Sequence, residues 1–458
     1  MRREVPQNFY KQMFVLVIPM AIQNLINVGV SSSDIIMLGK VSENAMSSVS
    51  IANQFQFIMS LIMFGIASGS TVLNAQYWGK RNIRAIEMVL GISLRLALLI
   101  STLFAVVAFI FPNLVMGIFT NNLELINLGS KYLQIVAITY IIQAITIILL
   151  ATLKSMEMVL ISTIIYAISF FVNVIINYCL IFGVGIFPSL GVRGAAVGTT
   201  VARFVELFIA IGYLFSIRDR FKFRIRDLIK VNKILNKDFY KFAIPIVINE
   251  LMWSVGMASV TAIYGHISES LVAANSVAQV TRQLLMVFGF GISTASALVV
   301  GKKIGEKNKV DAEIYAYNII KLVLKIAFLM SVLLFVLRPY IIRIFTLSEQ
   351  SRYYLDLMLL IICLYSIAQA YSCTVIIGIF RAGGDSKYGM FVDIASMFFG
   401  SLLLAYIGAF WLKLPAEIVI ILVYLDEFIK IPLCYFRYKK KIWLNDITRE
   451  GVENEQGL

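Results

Sequence analysis

The chain alternates long apolar blocks with short polar punctuation. Twelve such blocks run over residues 13–37, 47–75, 88–111, 132–153, 159–183, 194–216, 242–262, 272–300, 314–337, 353–379, 388–410 and 416–435. Each has the length of roughly 20 residues that an α-helix needs to cross a hydrocarbon core. In a bilayer every backbone N–H and C=O must be satisfied inside the protein, and a helix does this locally. Barrel strands would show alternation in segments of about ten residues; these blocks are too long and too uniformly apolar for that. The pattern predicts an all-α membrane protein with twelve transmembrane helices. The first block is longer than the apolar region of a signal peptide, about 7–15 residues. It also carries Gln23, Asn24, Asn27 and Asp34, so it is read as a span.

A shift of 226 residues brings the sequence onto itself: Pro19 meets Pro245, Gly39 meets Gly265, Ser42-Glu43 meets Ser268-Glu269, and Phe64-Gly65-Ile66 meets Phe290-Gly291-Ile292. Gly79, Asn82 and Glu87 meet Gly305, Asn308 and Glu313. From 19 to 87, 16 of 69 positions are identical, and shared apolar composition does not place glycines and acids in one register. Each half has six spans, an even number, so the halves enter the membrane from the same side. The expected architecture is two parallel-repeat six-helix bundles: an N-terminal lobe over 1–217, a basic cytoplasmic linker over 218–241, and a C-terminal lobe with a cytoplasmic tail over 242–458. Transporters of this plan carry substrate along a path at or within the two lobes.

Composition sharpens the membrane reading. Of 458 residues 60% are hydrophobic and only 14% charged, with a mean hydropathy of +0.85, where a soluble domain is about a quarter charged. The net charge of +14 would suit nucleic acid, but its distribution argues otherwise. Sorted by alternate loops, 27 Lys and Arg fall on one side and 7 on the other. By the positive-inside rule the rich side is cytoplasmic, which puts both termini there, in a multi-pass protein of the cell membrane. No nucleic-acid partner is expected, and a monomer is the expected assembly. Cys179, Cys363, Cys373 and Cys434 are scattered without a CxxC pair, and the single histidine, His266, makes no metal site alone. No GxxxxGK[ST] phosphate loop is present; Gly79-Lys80 and Gly301-Lys302 lack its other residues. No hydrolytic motif is present either, so the chain reads as a transporter rather than an enzyme, without a cofactor. Any pumping then draws on an ion gradient.

Ionisable and amide residues inside spans carry the candidate chemistry, because they are costly there. Gln23, Asn27, Ser31 and Asp34 lie 4, 4 and 3 apart on one face of the first span. They suit an ion or proton pathway, with polar glue between helices as the alternative. Asn173 and Asn177 form an i, i+4 pair in the fifth span, suited to a cation or to Asp34. In the seventh span Glu250, Trp253 and Met257 share a face, and a carboxylate beside an aromatic attracts a lipophilic cation. Asp34, Asn173 and Asn177 are therefore the candidate ion-coupling residues, Asp34 being a possible Na⁺ ligand. Gln23, Asn27, Glu250, Trp253 and Met257 are the candidate substrate-binding residues. Arg203 and Glu206 are expected to neutralise each other, and Asp426, Glu427 and Lys430 to form an internal ion-pair cluster.

The segment Pro19–Gly39 with its Asp34, and the helix of Ala52-Asn53-Gln54 ending in Gly79-Lys80-Arg81-Asn82, resemble the opening of the multidrug and toxic compound extrusion family. So do Ile244-Pro245 through Trp253, Asn173 to Asn177 followed by Gly194-Ala195-Ala196, and Arg381-Ala382-Gly383-Gly384-Asp385. The match covers almost the whole chain. The resemblance implies alternating access between two six-helix bundles. It also implies export of small organic, cationic compounds in exchange for Na⁺ or H⁺, with Asp34 matching the family's first-span acid. The chain departs in carrying Asn177 and Ser366 where some members carry Asp, and Glu250 about a turn before their seventh-span Glu. Two rivals remain open here: a lipid-linked oligosaccharide flippase of the same broad superfamily, and a non-transporting membrane receptor or enzyme.

Overall fold

The computed structural model describes residues 8–219, 221, 232–345 and 347–449; the Ser31 side chain, most of the basic linker and the extreme termini, Arg2 and Arg3 included, lie outside them. All regular structure among the described residues is helical. The first half comprises α1 (Phe9–Gly39), α2 (Glu43–Gly79), α3 (Ile83–Ile110), a short α4 (Pro112–Phe119), α5 (Leu123–Ser155), α6 (Val159–Phe182) and α7 (Val192–Ser216). The second comprises α8 (Lys233–Ile267), α9 (Glu269–Leu285), α10 (Val287–Gly305), α11 (Lys309–Ile344), α12 (Glu349–Cys373), α13 (Ser386–Ile394), α14 (Leu403–Tyr406), α15 (Ala416–Val423) and α16 (Asp426–Lys439). Turns of π-helix over Thr374–Phe380 continue α12, and others over Ala395–Leu402 and Ile407–Trp411 join α13 and α14 into one rod.

Among the described residues eleven helices are long and apolar enough to cross a membrane. Two of the twelve apolar blocks are broken. Block 272–300 turns at Met286, whose N–H meets the carbonyls of Arg282 and Leu284. Block 416–435 turns at Tyr424, after which Asp426 and Glu427 open α16. Acids in a first turn complement the helix dipole, so they favour a fresh start at that point.

The repeated polar residues are largely helix caps. Ser42 accepts the Ala45 N–H and Ser268 the Ser270 N–H. Asn82 accepts the Ala85 N–H and Asn308 the Asp311 N–H. Each satisfies donors that a helix start leaves open, which is why they recur in register.

The chain forms two compact units: one of Met1–Ala21 with Ile248–Thr448, here the C-unit, and one of Ile22–Val247 with Arg449–Leu458, here the N-unit. The boundaries fall inside α1 and α8, just past Pro19 and Pro245. Proline removes a backbone hydrogen bond from a helix interior, so each helix changes unit beside a weakened turn. Repeat-related glycines receive the exchanged segments. In the N-unit a Cβ on Gly65 would lie 2.7 Å from Val247 Cγ2; in the C-unit one on Gly291 would lie 3.3 Å from the Val17 carbonyl and 3.4 Å from Ala21 N. Small residues permit such backbone approach in membranes, where lipid is as apolar as leucine and packing itself must drive association.

Candidate functional site

In the N-unit, α1, α6 and α7 meet along a polar seam. Asn177 Nδ2 donates to Asp34 Oδ1 at 2.6 Å. Asp34 is 5% exposed and Asn177 fully buried. One turn earlier on α6, Asn173 Nδ2 donates to Thr199 Oγ1 of α7 at 3.3 Å. Gly198 makes this crossing possible, since a Cβ there would overlap Asn177 Oδ1. Next along the seam, Arg203 Nη1 pairs with Glu206 Oε2 at 2.7 Å, and Ser169 Oγ donates to the same oxygen at 3.2 Å. Buried Tyr132 of α5 interacts with Asp34 and Thr199.

The first-span stripe is therefore divided. Gln23 Nε2 donates to Thr163 Oγ1 of α6 at 2.6 Å, whereas Asn27 is exposed. Asp34 and Asn177 come together, Asn173 lies beside them with a different partner, and Arg203 and Glu206 neutralise each other as the i, i+3 spacing predicts. Two acceptors of the seam, Asn173 Oδ1 and Asn177 Oδ1, are buried with no hydrogen-bond partner in the protein.

The C-unit is built differently. Glu250 Oε1 pairs with Arg381 Nη2 at 3.0 Å, both side chains largely withdrawn from solvent. The carboxylate thus faces a guanidinium of the Arg381-Ala382-Gly383-Gly384-Asp385 turn. Trp253 and Met257, on the same face of α8, pack against the apolar core of this unit. Arg282 of α9 donates to Met257 Sδ at 3.8 Å and lies over the Tyr365 ring, 5.8 Å from its centroid. Beside Glu250, Asn249 Nδ2 donates to Asp393 Oδ2 at 2.9 Å. Lys430 Nζ in turn contacts Asp393 at 3.1 Å, Asp426 at 3.3 Å and Glu427 at 3.0 Å.

Sequence reasoning found the cluster of Asp426, Glu427 and Lys430 but missed Asp393, Asn249, Thr199 and Tyr132. Asp393 carried a usable signal, an acid inside the apolar block 388–410. Thr199 and Tyr132 carried none, being ordinary residues of membrane helices.

The sequence profile of the MatE family matches residues 19–179 and again 245–407, two segments in the register of the internal repeat. The chain is 25% identical over 432 residues to the uncharacterized transporter YisQ of Bacillus subtilis (strain 168), covering 94% of each protein. It is 26% identical over 415 residues to the probable multidrug resistance protein NorM of Thermotoga maritima, covering 89% of this chain and 87% of that one. The fold matches that of an outward-facing multidrug resistance MATE family transporter of the MOP superfamily, with a TM-score of 0.86, 18% identity, and coverage of 94% of this chain and 95% of that one. Two repeat halves matched in register across most of the chain identify it as a member of the MatE family, the multidrug and toxic compound extrusion transporters.

Proposed function

We propose that this chain is a secondary multidrug exporter that releases organic cations in exchange for Na⁺ or H⁺ bound at Asp34. The observation that carries the reading is the buried Asp34 carboxylate, whose direct hydrogen-bond donor is the neutral amide of Asn177. An acid so placed inside a membrane span is costly unless a cation neutralises it. A proton needs only the carboxylate. A Na⁺ takes hard oxygen donors, and the chain supplies Asp34 with the buried acceptors Asn173 Oδ1 and Asn177 Oδ1, so the residues fit either cation.

Exchange follows if the cation interacts differently with inward- and outward-open states. Asp34 holds α1 to α6 through Asn177, and filling or emptying it alters that contact at a helix bridging both units. Membership of a transporter family and the names of the multidrug resistance relatives support drug export. The positive-inside distribution supports cytoplasmic termini.

The test is transport of a fluorescent organic cation by the purified protein in sealed vesicles, under an imposed Na⁺ gradient and separately under an imposed H⁺ gradient. Uptake driven by one of them is expected. Movement of a lipid-linked sugar without drug transport would replace this reading with the flippase one, and neither activity would remove both.

A further inference from the structure

The C-unit carries a second buried polar centre that the exchange reading does not use. Three carboxylates, Asp393 at the end of α13 and Asp426 and Glu427 at the start of α16, converge on the Lys430 ammonium at 3.1, 3.3 and 3.0 Å. Asp426, Glu427 and Lys430 are each at most 7% exposed. The ammonium donates to Glu427 Oε1 and forms ion pairs with the other two acids. Two further oxygens of the same network, Asn249 Oδ1 and Glu427 Oε2, are buried with no hydrogen-bond partner in the protein. Among the described residues no set of three or more His, Cys, Asp or Glu side chains is arranged around an open metal position. Here three acids do converge, and a nitrogen stands at their centre.

We propose that the Lys430 ammonium is a tethered counter-cation, occupying the position at which Asp393, Asp426 and Glu427 would otherwise bind a mobile monovalent cation. The C-unit centre then holds a permanent cation that offsets one of its three acid charges without Na⁺ or an added proton. The two halves are complementary in this respect. The 226-residue shift places Phe204 opposite Lys430, Ala167 opposite Asp393 and Val260 opposite Asp34. The N-unit has an acid whose direct hydrogen-bond donor is an amide, and the C-unit has acids that come with their own cation. Carboxylates drawn this close repel one another strongly in a low-dielectric setting, so removing the ammonium leaves a centre that must recruit a positive charge from solution.

The groups acting on this centre are Arg282 and Tyr365, which interact with Asp426 and Glu427, Tyr424, which interacts with Asp426, and Glu250, which interacts with Asp393. Cys373 and Cys434 act on it as well, both through Glu427 and Lys430. Arg282 is a fixed charge.

The experiment uses the full-length protein purified in detergent, with Asp34→Asn throughout to silence the N-unit site. Thermal unfolding is followed in NaCl and in choline chloride of equal ionic strength, at alkaline and at mildly acidic pH. Asp34→Asn alone is expected to melt at the same temperature in both salts. Adding Lys430→Gln is expected to lower Tm by several degrees in choline at alkaline pH. Na⁺ or acid should then recover it, since either returns the missing positive charge. A charge-compensated protein, Lys430→Gln with Asp426→Asn and Glu427→Gln, keeps a single carboxylate at the centre and is expected to lose that sensitivity and to fold even if Lys430→Gln does not.

Three results overturn the proposal: a Na⁺ response in Asp34→Asn as large as in the Lys430→Gln protein; a folded Lys430→Gln protein indifferent to Na⁺ and to pH; or a compensated protein as unstable as the uncompensated one, which would make Lys430 a packing residue. Because the readout is stability, none of these outcomes bears on whether Asp34 couples transport.

Discussion

At the scale of single residues, two carboxylates inside membrane helices have different partners. Asp34 meets an amide, and Glu250 meets a guanidinium. Asp34→Asn keeps the shape and the contact with Asn177 but removes the charge that a coupling cation neutralises. The expected outcome is a folded, membrane-inserted protein whose gradient-driven uptake falls to the level of protein-free vesicles, while counterflow, which needs no net ion coupling, persists. Normal gradient-driven uptake by this variant would move the coupling site to the other unit. Glu250→Gln has a different expected cost. It leaves the Arg381 guanidinium, 2% exposed, beside an amide, and breaking a buried ion pair from one side costs about 3–5 kcal/mol. Thermal unfolding is expected to show that loss, and Glu250→Gln with Arg381→Gln to return much of it. If Glu250 also draws the cationic substrate, transport stays impaired in the double variant despite the restored stability. Recovery of both together would make Glu250 a structural residue.

At the scale of elements, close approach is set by the absence of side chains. Gly198 lets α7 lie against the Asn177 amide of α6. Gly198→Val forces these helices apart at the point where Asn177 reaches Asp34. Overpacking of this kind costs about 1–3 kcal/mol, and here it also displaces the donor of the candidate coupling acid. The expected result is a moderate fall in Tm with a disproportionate loss of gradient-driven transport. A fall in Tm with transport intact would show that Asn177 is dispensable to coupling. Gly65 and Gly291 do the equivalent work for the exchanged segments of α8 and α1. The shorter separations at Gly65 make the N-unit the more sensitive of the two: Gly65→Val is expected to destabilise more than Gly291→Val.

At the scale of the whole molecule, the duplicated chain, the two compact units and the family profile share one register. Orientation in the membrane rests on charge alone. Single cysteines placed at Lys307 and at Lys413 in a cysteine-free background are expected to label from opposite sides, Lys413 from outside intact cells and Lys307 only after the membrane is opened. An impermeant reagent reaching Lys307 from outside would invert the assignment. Most of this level was legible in advance, because span length, loop charge and the self-match are each properties of the sequence read as a string. The break at Met286 was not, since it falls between Leu284-Leu285 and Val287-Phe288 where composition gives no turn signal; the one at Tyr424 carried a signal in Asp426 and Glu427 that went unused.

What the sequence determined by itself is whatever depends on local chemistry or on position along the chain. This covers the helical spans, the recurrence of Ser42, Asn82, Ser268 and Asn308 in one register, the duplication, and the presence of a carboxylate in the first span. The i, i+3 spacing of Arg203 and Glu206 was enough to pair them, because helix geometry alone brings such residues together. The tertiary structure decided what depends on which helices become neighbours. It gave Asn177 to Asp34 and Thr199 to Asn173, turned Arg381 onto Glu250, and added Asp393 to the lysine cluster. It also assigned the two parts of α1 and of α8 to different units. Two of these choices join residues more than a hundred positions apart, Asp34 to Asn177 and Glu250 to Arg381. A polar group buried among helices takes whichever partner the packing brings within reach, and no periodicity along the chain encodes that choice.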